Sequence, residues 1–150
     1  SRFGFSDVLT MFLALNASVE LYKGGVVPLA EYAQRPYDRD ILMRVLVPKE
    51  NARFVYQSVR NSQTDFPVLT CAAAKLADGS IRAAIGARPG KAVLYTAAPE
   101  AGETAEEFAA RFAAEVKAGI KTESNLRGGA EYRRHLAGVL TKRAVCRLEG

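Results

Sequence analysis

Long apolar runs and cysteines are scarce in this chain of 150 residues, and both scarcities restrict the classes of protein to which it can belong. No apolar run approaches the roughly 20 residues that a membrane-spanning helix needs. The opening SRFGFSDVLTMFLALNA has neither a charged leader nor a small-residue cleavage site. The two cysteines, Cys71 and Cys146, have no companion at metal-ligand spacing, which favours thiols in a reducing compartment. We therefore expect a cytoplasmic protein with no membrane partner and no metal site.

Residues that could carry catalysis are equally rare. The only histidine, His135, stands between arginines and an apolar leucine on a predicted helix. As a general base it would need a carboxylate or cysteine at a telling spacing, and none is present, so we interpret it as a helix-surface residue. Zinc patterns, a serine nucleophile elbow and a phosphate-loop lysine signature are also missing. The sequence predicts no catalytic residue.

Positive charge is in excess, with a formal net charge of +5 and a pI near 9.4. This excess is consistent with a nucleic-acid surface, with a face that docks on an acidic partner subunit, or with no specific role. The basic residues of the last predicted helix are not interleaved with exposed aromatics, so we expect no nucleic-acid partner. A non-catalytic basic interaction domain, or a nucleic-acid-binding one, remains the alternative. A salt-dependent shift with RNA or DNA would support that alternative.

The first part of the chain, about residues 1–48, is predicted to hold one helix and three strands. The helix spans about residues 7–15, with Ser6 or Asp7 as its N-cap. The strands are Ser18 to Tyr22, Val26 to Leu29, and Ile41 to Val47. Between the first two strands, Lys23-Gly24-Gly25 favours a tight hairpin turn over a phosphate-binding loop.

The rest of the chain is predicted to be an antiparallel meander followed by two amphipathic helices. The strands span about residues 52–60, 66–76 and 80–86, with one further short strand at 93–96. The helices span about 103–118 and 131–148. Gly128-Gly129, before the second helix, is interpreted as a helix start more readily than as an anion site. The pattern predicts an α+β fold in which an antiparallel sheet carries helices on one face.

Residues 125–144, NLRGGAEYRRHLAGVLTKRA, resemble the closing motif of the FAD-binding (medium) subunits of xanthine dehydrogenase and carbon monoxide dehydrogenase, which are molybdenum hydroxylases. Three further stretches resemble motifs of that family in the same order: residues 6–17, 40–48 and 85–89. The resemblance covers nearly the whole chain. It implies that the chain is the C-terminal portion of such a subunit, and a start without methionine agrees with a partial chain.

The resemblance also implies a domain division, cofactors and partners. Residues 1–48 would be the tail end of an FAD-binding domain, and residues 49–150 a domain like the CO dehydrogenase flavoprotein C-terminal domain. FAD would pass electrons from iron–sulfur clusters to an acceptor. Molybdopterin and 2Fe–2S clusters would lie on partner subunits, and the rest of the FAD site on an upstream FAD-binding fragment. We expect residues 49–150 to close their own core and residues 1–48 to be looser.

Two positions carry family roles as FAD-binding residues. Asp7 corresponds to the aspartate that accepts hydrogen bonds from FAD hydroxyls, and Leu42 to the leucine beside the isoalloxazine ring. Without the resemblance, Asp7 would be interpreted as a helix cap and Leu42 as an ordinary core residue of a strand.

The sequence departs from the family pattern in two ways. Many relatives carry a lysine near the flavin where this chain has Tyr56-Gln57-Ser58-Val59-Arg60, and neither Gln57 nor Ser58 can supply a cation. The two Gly-Gly motifs that hold the FAD pyrophosphate in relatives belong upstream of Ser6. We therefore expect the isolated chain to bind FAD weakly and to be inactive.

Overall fold

The computed structural model describes residues 6–37, 39–49 and 53–150, which form four helices and seven strands. The helices are α1 (Asp7–Ala14), α2 (Leu29–Tyr32), α3 (Ala105–Gly119) and α4 (Ala130–Glu149). The strands are β1 (Ser18–Leu21), β2 (Gly25–Pro28), β3 (Leu42–Leu46), β4 (Arg53–Arg60), β5 (Pro67–Lys75), β6 (Ile81–Gly86) and β7 (Val93–Ala97). The mixture of helices with antiparallel strands confirms the predicted α+β class.

Most predicted elements lie within one or two residues of their predicted ends, and one element was missed. Ser6 is the N-cap of α1, because its hydroxyl accepts from the amide of Leu9 at 3.0 Å. The second strand was predicted to run through Leu29 but ends at Pro28. Leu29 begins the short helix α2, and its amide donates to the Ala17 carbonyl at 2.9 Å instead of continuing the strand.

The strands form two antiparallel sheets, a three-stranded one in the order β2-β1-β3 and a four-stranded one in the order β4-β5-β6-β7. The β1–β2 hairpin turns at Lys23-Gly24-Gly25 as predicted, and Gly25 has a φ of +66°. The Asp40 carboxylate accepts from the amides of Lys23 and Gly24 at 2.8 to 3.2 Å. The turn's amides are thus bound by this chain itself, which favours the hairpin interpretation over a phosphate loop.

Helices α3 and α4 cover one face of the four-stranded sheet and form the larger core. Phe108 and Phe112 of α3 and Leu140 of α4 are buried there against alternate residues of β5, among them Leu69 and Cys71. A capping box at Thr104 starts α3, because Thr104 and the carboxylate of Glu107 satisfy each other's backbone amides. This is the helix-on-one-face arrangement that the sequence predicted.

The opposite face of the same sheet is covered by α1. Leu9 and Leu13 of α1 are buried in a second core that includes Ala72 of β5 and Ala84 of β6. Both faces of β5 are therefore buried, and eight of its nine residues are shielded from solvent. The small side chains on this face let the helix lie close to the sheet.

The three-stranded sheet has an exposed apolar edge at β3. All five residues of β3 are exposed, and four of them are Leu42, Met43, Val45 and Leu46. Among the described strands, it pairs only with β1. Across the part of the chain that the structure describes, no helix has the length and apolar character needed to cross a membrane.

Candidate functional site

Asp7 lies in the first turn of α1, at the edge where this helix meets the four-stranded sheet. The side chain is 36% exposed and its Oδ2 is 2.8 Å from Nη2 of Arg60, the last residue of β4. Ser6, not Asp7, caps the helix. The alternative interpretation of Asp7 as the N-cap is therefore wrong, and its carboxylate is available for another role.

Arg60 is held by three acceptors. Besides Asp7, its Nη1 donates to the Asp65 carbonyl at 2.6 Å and its Nε to the Ser58 hydroxyl at 3.3 Å. Hydrogen bonding to Asp7 raises the pKa of Arg60, so the guanidinium stays charged. A register shift between Val59 and Arg60 ends the regular pairing of β4 with β5 at this point.

The alternation of β4 decides which of its side chains reach this edge. Tyr56 packs with the α1 core, while Val55 and Val59 pack with the α3–α4 core. Tyr56, Ser58 and Arg60 therefore share the α1 face of the strand. Gln57 points the other way, and its Nε2 donates to the Leu140 carbonyl at 3.3 Å.

The Tyr56 hydroxyl is buried and makes no hydrogen bond of normal geometry within the described residues. Burial raises its pKa, and the nearby charge of Asp7 raises it further, while Arg60 and Ser58 oppose the shift. The phenol is thus neutral at physiological pH. It lies beside the Asp7–Arg60 ion pair as a neutral hydroxyl.

Leu42 and Asp7 lie on two neighbouring pockets at the N-terminus of α1. The first pocket is apolar, has a volume of about 110 Å³ and includes Leu42, Val45 and Phe12 in its lining. The second is smaller and is lined by Ser6, Asp7, Phe66 and Pro67. Ser6 lines both pockets. The two residues singled out in the sequence are thus brought to one edge of the molecule, although 35 positions separate them in the chain.

Leu42 is not an ordinary core residue. It is 41% exposed on β3, so the structure contradicts the alternative interpretation of this leucine as a buried strand residue. An apolar side chain at a half-open pocket can pack against a planar ligand.

Phe66 and Arg127 belong to the same edge and were not identified from the sequence. Phe66 is 60% exposed, and the Arg127 guanidinium lies 5.2 Å from the centre of its ring. Arg127 also donates twice to Oδ1 of Asp65, at 2.9 and 3.0 Å, which lowers the pKa of that carboxyl. Arg60 was not identified from the sequence either, although the alternation of β4 and a cation at its end could have indicated it. No sequence signal pointed to Arg127.

The remaining candidates have structural roles. Gly129 is the N-cap of α4, and the carbonyl of Gly128 accepts from the guanidinium of the fully buried Arg133. His135 is exposed on α4, as predicted. Among the residues that the structure describes, no group of three or more histidine, cysteine, aspartate or glutamate side chains could hold a metal ion.

Known structures share this fold. One is quinoline 2-oxidoreductase from Pseudomonas putida 86, with a TM-score of 0.76 at 18% identity over 99% of this chain and 57% of that one. Carbon monoxide dehydrogenase from Hydrogenophaga pseudoflava matches with a TM-score of 0.79 at 21% identity, over 97% and 57%. CO dehydrogenase from Oligotropha carboxidovorans matches with a TM-score of 0.78 at 20% identity, over 98% and 57%. The chain therefore spans less than two thirds of the length of these relatives.

Sequence comparison identifies the family directly. The family model of the CO dehydrogenase flavoprotein C-terminal domain matches residues 54–148, which is well over half of the chain. None of the curated protein sequences is significantly similar to it. The matched range begins on β4 and ends in the last turn of α4, so it contains nearly all of the four-stranded sheet and of the two helices of the larger core. The chain belongs to the CO dehydrogenase flavoprotein C-terminal domain family, as its resemblance to the FAD-binding subunits of molybdenum hydroxylases predicted.

Proposed function

We propose that this chain is part of the FAD-containing electron-transfer subunit of a cytoplasmic molybdenum hydroxylase of the xanthine dehydrogenase type, in which FAD passes electrons from iron–sulfur clusters to an acceptor. The observation that carries the proposal is the placement of Asp7 and Leu42 on two neighbouring pockets at the N-terminus of α1 in a chain of this family. No acid or base is required from the chain for electron transfer. Its residues bind and orient the cofactor.

The residues at this edge fit a flavin. An ionised carboxylate accepts hydrogen bonds and donates none, so Asp7 suits the hydroxyls of the ribityl or ribose part. Arg60 bonds only one oxygen of Asp7, and no other side chain among the described residues forms a hydrogen bond or an ion pair with this carboxylate. Leu42 and its apolar neighbours suit a planar ring. Polar and apolar groups therefore lie side by side, as an amphipathic cofactor requires.

We divide the chain into two domains: residues 1–48 are the tail end of an FAD-binding domain, and residues 49–150 are the C-terminal domain. The exposed apolar edge of β3 supports this division, because an edge strand with four exposed apolar residues needs a partner to shield it. The upstream FAD-binding fragment is the partner that we assign to this edge. The same fragment would carry the groups that bind the FAD pyrophosphate.

The wider assembly follows from the same proposal. A molybdopterin subunit and a subunit with 2Fe–2S clusters would be the other partners. The chain by itself is then inactive, because it contains only one part of a path along which electrons move. We expect neither a nucleic-acid nor a membrane partner in this assembly.

A titration of the chain with FAD, followed by the backbone amide signals in NMR spectra, tests the proposal. We expect weak binding, with a dissociation constant well above the submicromolar range, and shifts concentrated in the first turn of α1 and along β3. Asp7→Ala should weaken it by about 1.5–3 kcal/mol, the usual value of a hydrogen bond to a charged group.

Glu106→Ala is the matched control, because Glu106 is also an exposed acid in the first turn of a helix, α3. It should leave the affinity unchanged. Shifts scattered over the basic surface of α4, or equal losses in both variants, would argue against a flavin site at Asp7.

A further inference from the structure

Arg60 joins two parts of the molecule that the sequence separates by 53 positions. It stands at the end of β4, in the C-terminal domain, and its guanidinium reaches the candidate flavin ligand at the start of α1. We propose that Arg60 is a positioning residue of the flavin site, which holds the Asp7 carboxylate so that one oxygen faces the ligand. The inference rests on the proposed function and adds to it the residue that orients the ligand-binding group.

The two carboxylate oxygens of Asp7 have different roles. Oδ2 is 2.8 Å from Nη2 of Arg60, and Arg60 is the only hydrogen-bonding partner of this carboxylate among the described residues. Oδ1 therefore keeps its lone pairs for a ligand hydroxyl. A half-exposed carboxylate without Arg60 would rotate between several orientations, and ordering it would cost binding free energy.

Arg60 can orient another side chain because it is itself immobilised. Three of its nitrogens are engaged at once, by Asp7, by the Asp65 carbonyl and by the Ser58 hydroxyl. The guanidinium is planar and its donors have fixed directions, so three acceptors define its position. A lysine ammonium offers a single charge at the end of a flexible stem and would meet fewer of these acceptors.

The support extends one step further into the domain. Asp65 binds Arg60 through its backbone carbonyl. Its carboxylate accepts hydrogen bonds from both Nε and Nη2 of Arg127. Arg127 lies in the connection between α3 and α4. A chain of charge-assisted hydrogen bonds thus links that connection to Asp7. The cation absent from positions 57 and 58 is supplied at position 60, where it acts on the flavin through Asp7.

The test uses the 150-residue chain and FMN, which has the isoalloxazine ring and the ribityl hydroxyls and dissolves to millimolar concentration. Backbone amide signals of the first turn of α1 report binding, and inorganic phosphate alone serves as the ligand control. The variants are Asp7→Ala, Arg60→Met, Arg60→Lys and the double variant of Asp7→Ala with Arg60→Met. Arg53→Met is the matched control, because Arg53 is at the opposite end of β4 and donates to the Leu148 carbonyl at 2.8 Å.

We expect Arg60→Met to weaken FMN binding about tenfold and Arg60→Lys to recover part of that loss. The double variant should bind no more weakly than Asp7→Ala alone, because Arg60 acts only through Asp7. Arg53→Met should bind like the parent chain. Thermal midpoints measured in parallel identify any variant that is unfolded. If Arg60→Met is unfolded, Arg60→Lys, the smaller change, serves in its place.

Three results would overturn the inference. Parent-like binding by a folded Arg60→Met variant, while Asp7→Ala loses binding, would leave the flavin site intact and remove Arg60 from it. Additive losses in the double variant would show that Arg60 acts independently of Asp7. If the parent chain shows no FMN-dependent shifts at α1, or if phosphate alone reproduces them, the proposed flavin site itself fails and Arg60 has no ligand to position.

Discussion

Gly86, at the end of β6, lies against Thr10 of α1, and its replacement by alanine tests whether α1 packs tightly on the four-stranded sheet. A Cβ at this position would lie 2.6 Å from the Thr70 hydroxyl and closer still to the hydroxyl of Thr10 on α1. These two hydroxyls are hydrogen-bonded to each other at 3.3 Å in a fully buried site. Neither can move into solvent, so α1, β5 or β6 must shift.

The expected cost follows from this overlap. An added methyl group in a packed core that has to displace its neighbours usually costs about 1–3 kcal/mol. For a protein of this size that loss lowers the melting temperature by about 3–10 °C. Thr10→Ala removes the nearest obstructing atom but leaves the contact with Thr70. The double variant of Gly86 and Thr10 should therefore regain part of the lost stability, which makes the two changes non-additive.

The assay is thermal and urea unfolding followed by circular dichroism for the two single variants and the double variant. Gly129→Ala is the control, because no atom lies within 4 Å of the added Cβ and the φ of Gly129 is −77°. It should cost only about 0.5 kcal/mol through loss of a favoured N-cap residue. An unchanged midpoint for Gly86→Ala, or strict additivity with Thr10→Ala, would refute the close packing of α1 on β6.

Three further predictions concern other parts of the molecule. Native protein should react with a thiol reagent at the exposed Cys146 alone, because burial raises the pKa of Cys71 to about 12. The second thiol should react only after unfolding, and two fast-reacting thiols in the native protein would contradict the burial of Cys71. Hydrogen bonding by Arg111 lowers the pKa of Glu103 to about 2, so its contribution to stability should be present above pH 4.5 and lost as the pH falls towards 2. The difference in melting temperature between the parent chain and Glu103→Gln should shrink over that range, and a difference independent of pH would exclude the ion pair as its cause. Deletion of residues 1–48 should yield an aggregating or non-cooperative protein, because it uncovers the second face of the sheet; a soluble domain with a sharp transition would show that the two regions fold separately.

The sequence alone determined the family and every element except the short helix α2. Hydrophobic periodicity and turn residues are local signals, so the helices near residues 105–119 and 130–149 and the strands of the meander could be identified without a structure. The motif at residues 125–144 predicted the family that the match over residues 54–148 established. Asp7 and Leu42 as flavin contacts came from the same resemblance and remain predictions.

The tertiary structure alone decided how the two regions meet. The sequence suggested that the rest of the chain closes a core of its own and that residues 1–48 are the looser part, because their packing partner was expected upstream. In the structure the small residues of β5 and β6 accept α1, and Lys91 donates to the Ala33 carbonyl at 2.7 Å across the same boundary. Alanines on a strand carry no signal of what covers them, so this packing could not be read from the order of residues.

The ion pair between Asp7 and Arg60 likewise could not be predicted from the order of residues. The alternation of β4 restricts Arg60 to one of two faces, but which face carries α1 depends on contacts between residues about 50 positions apart. Local propensity depends only on near neighbours in the chain, whereas the position of a charged side chain at a domain edge depends on how the sheet, the helix and the turn assemble. Composition and motifs identified the kind of protein, and only the assembled fold paired the carboxylate with its guanidinium.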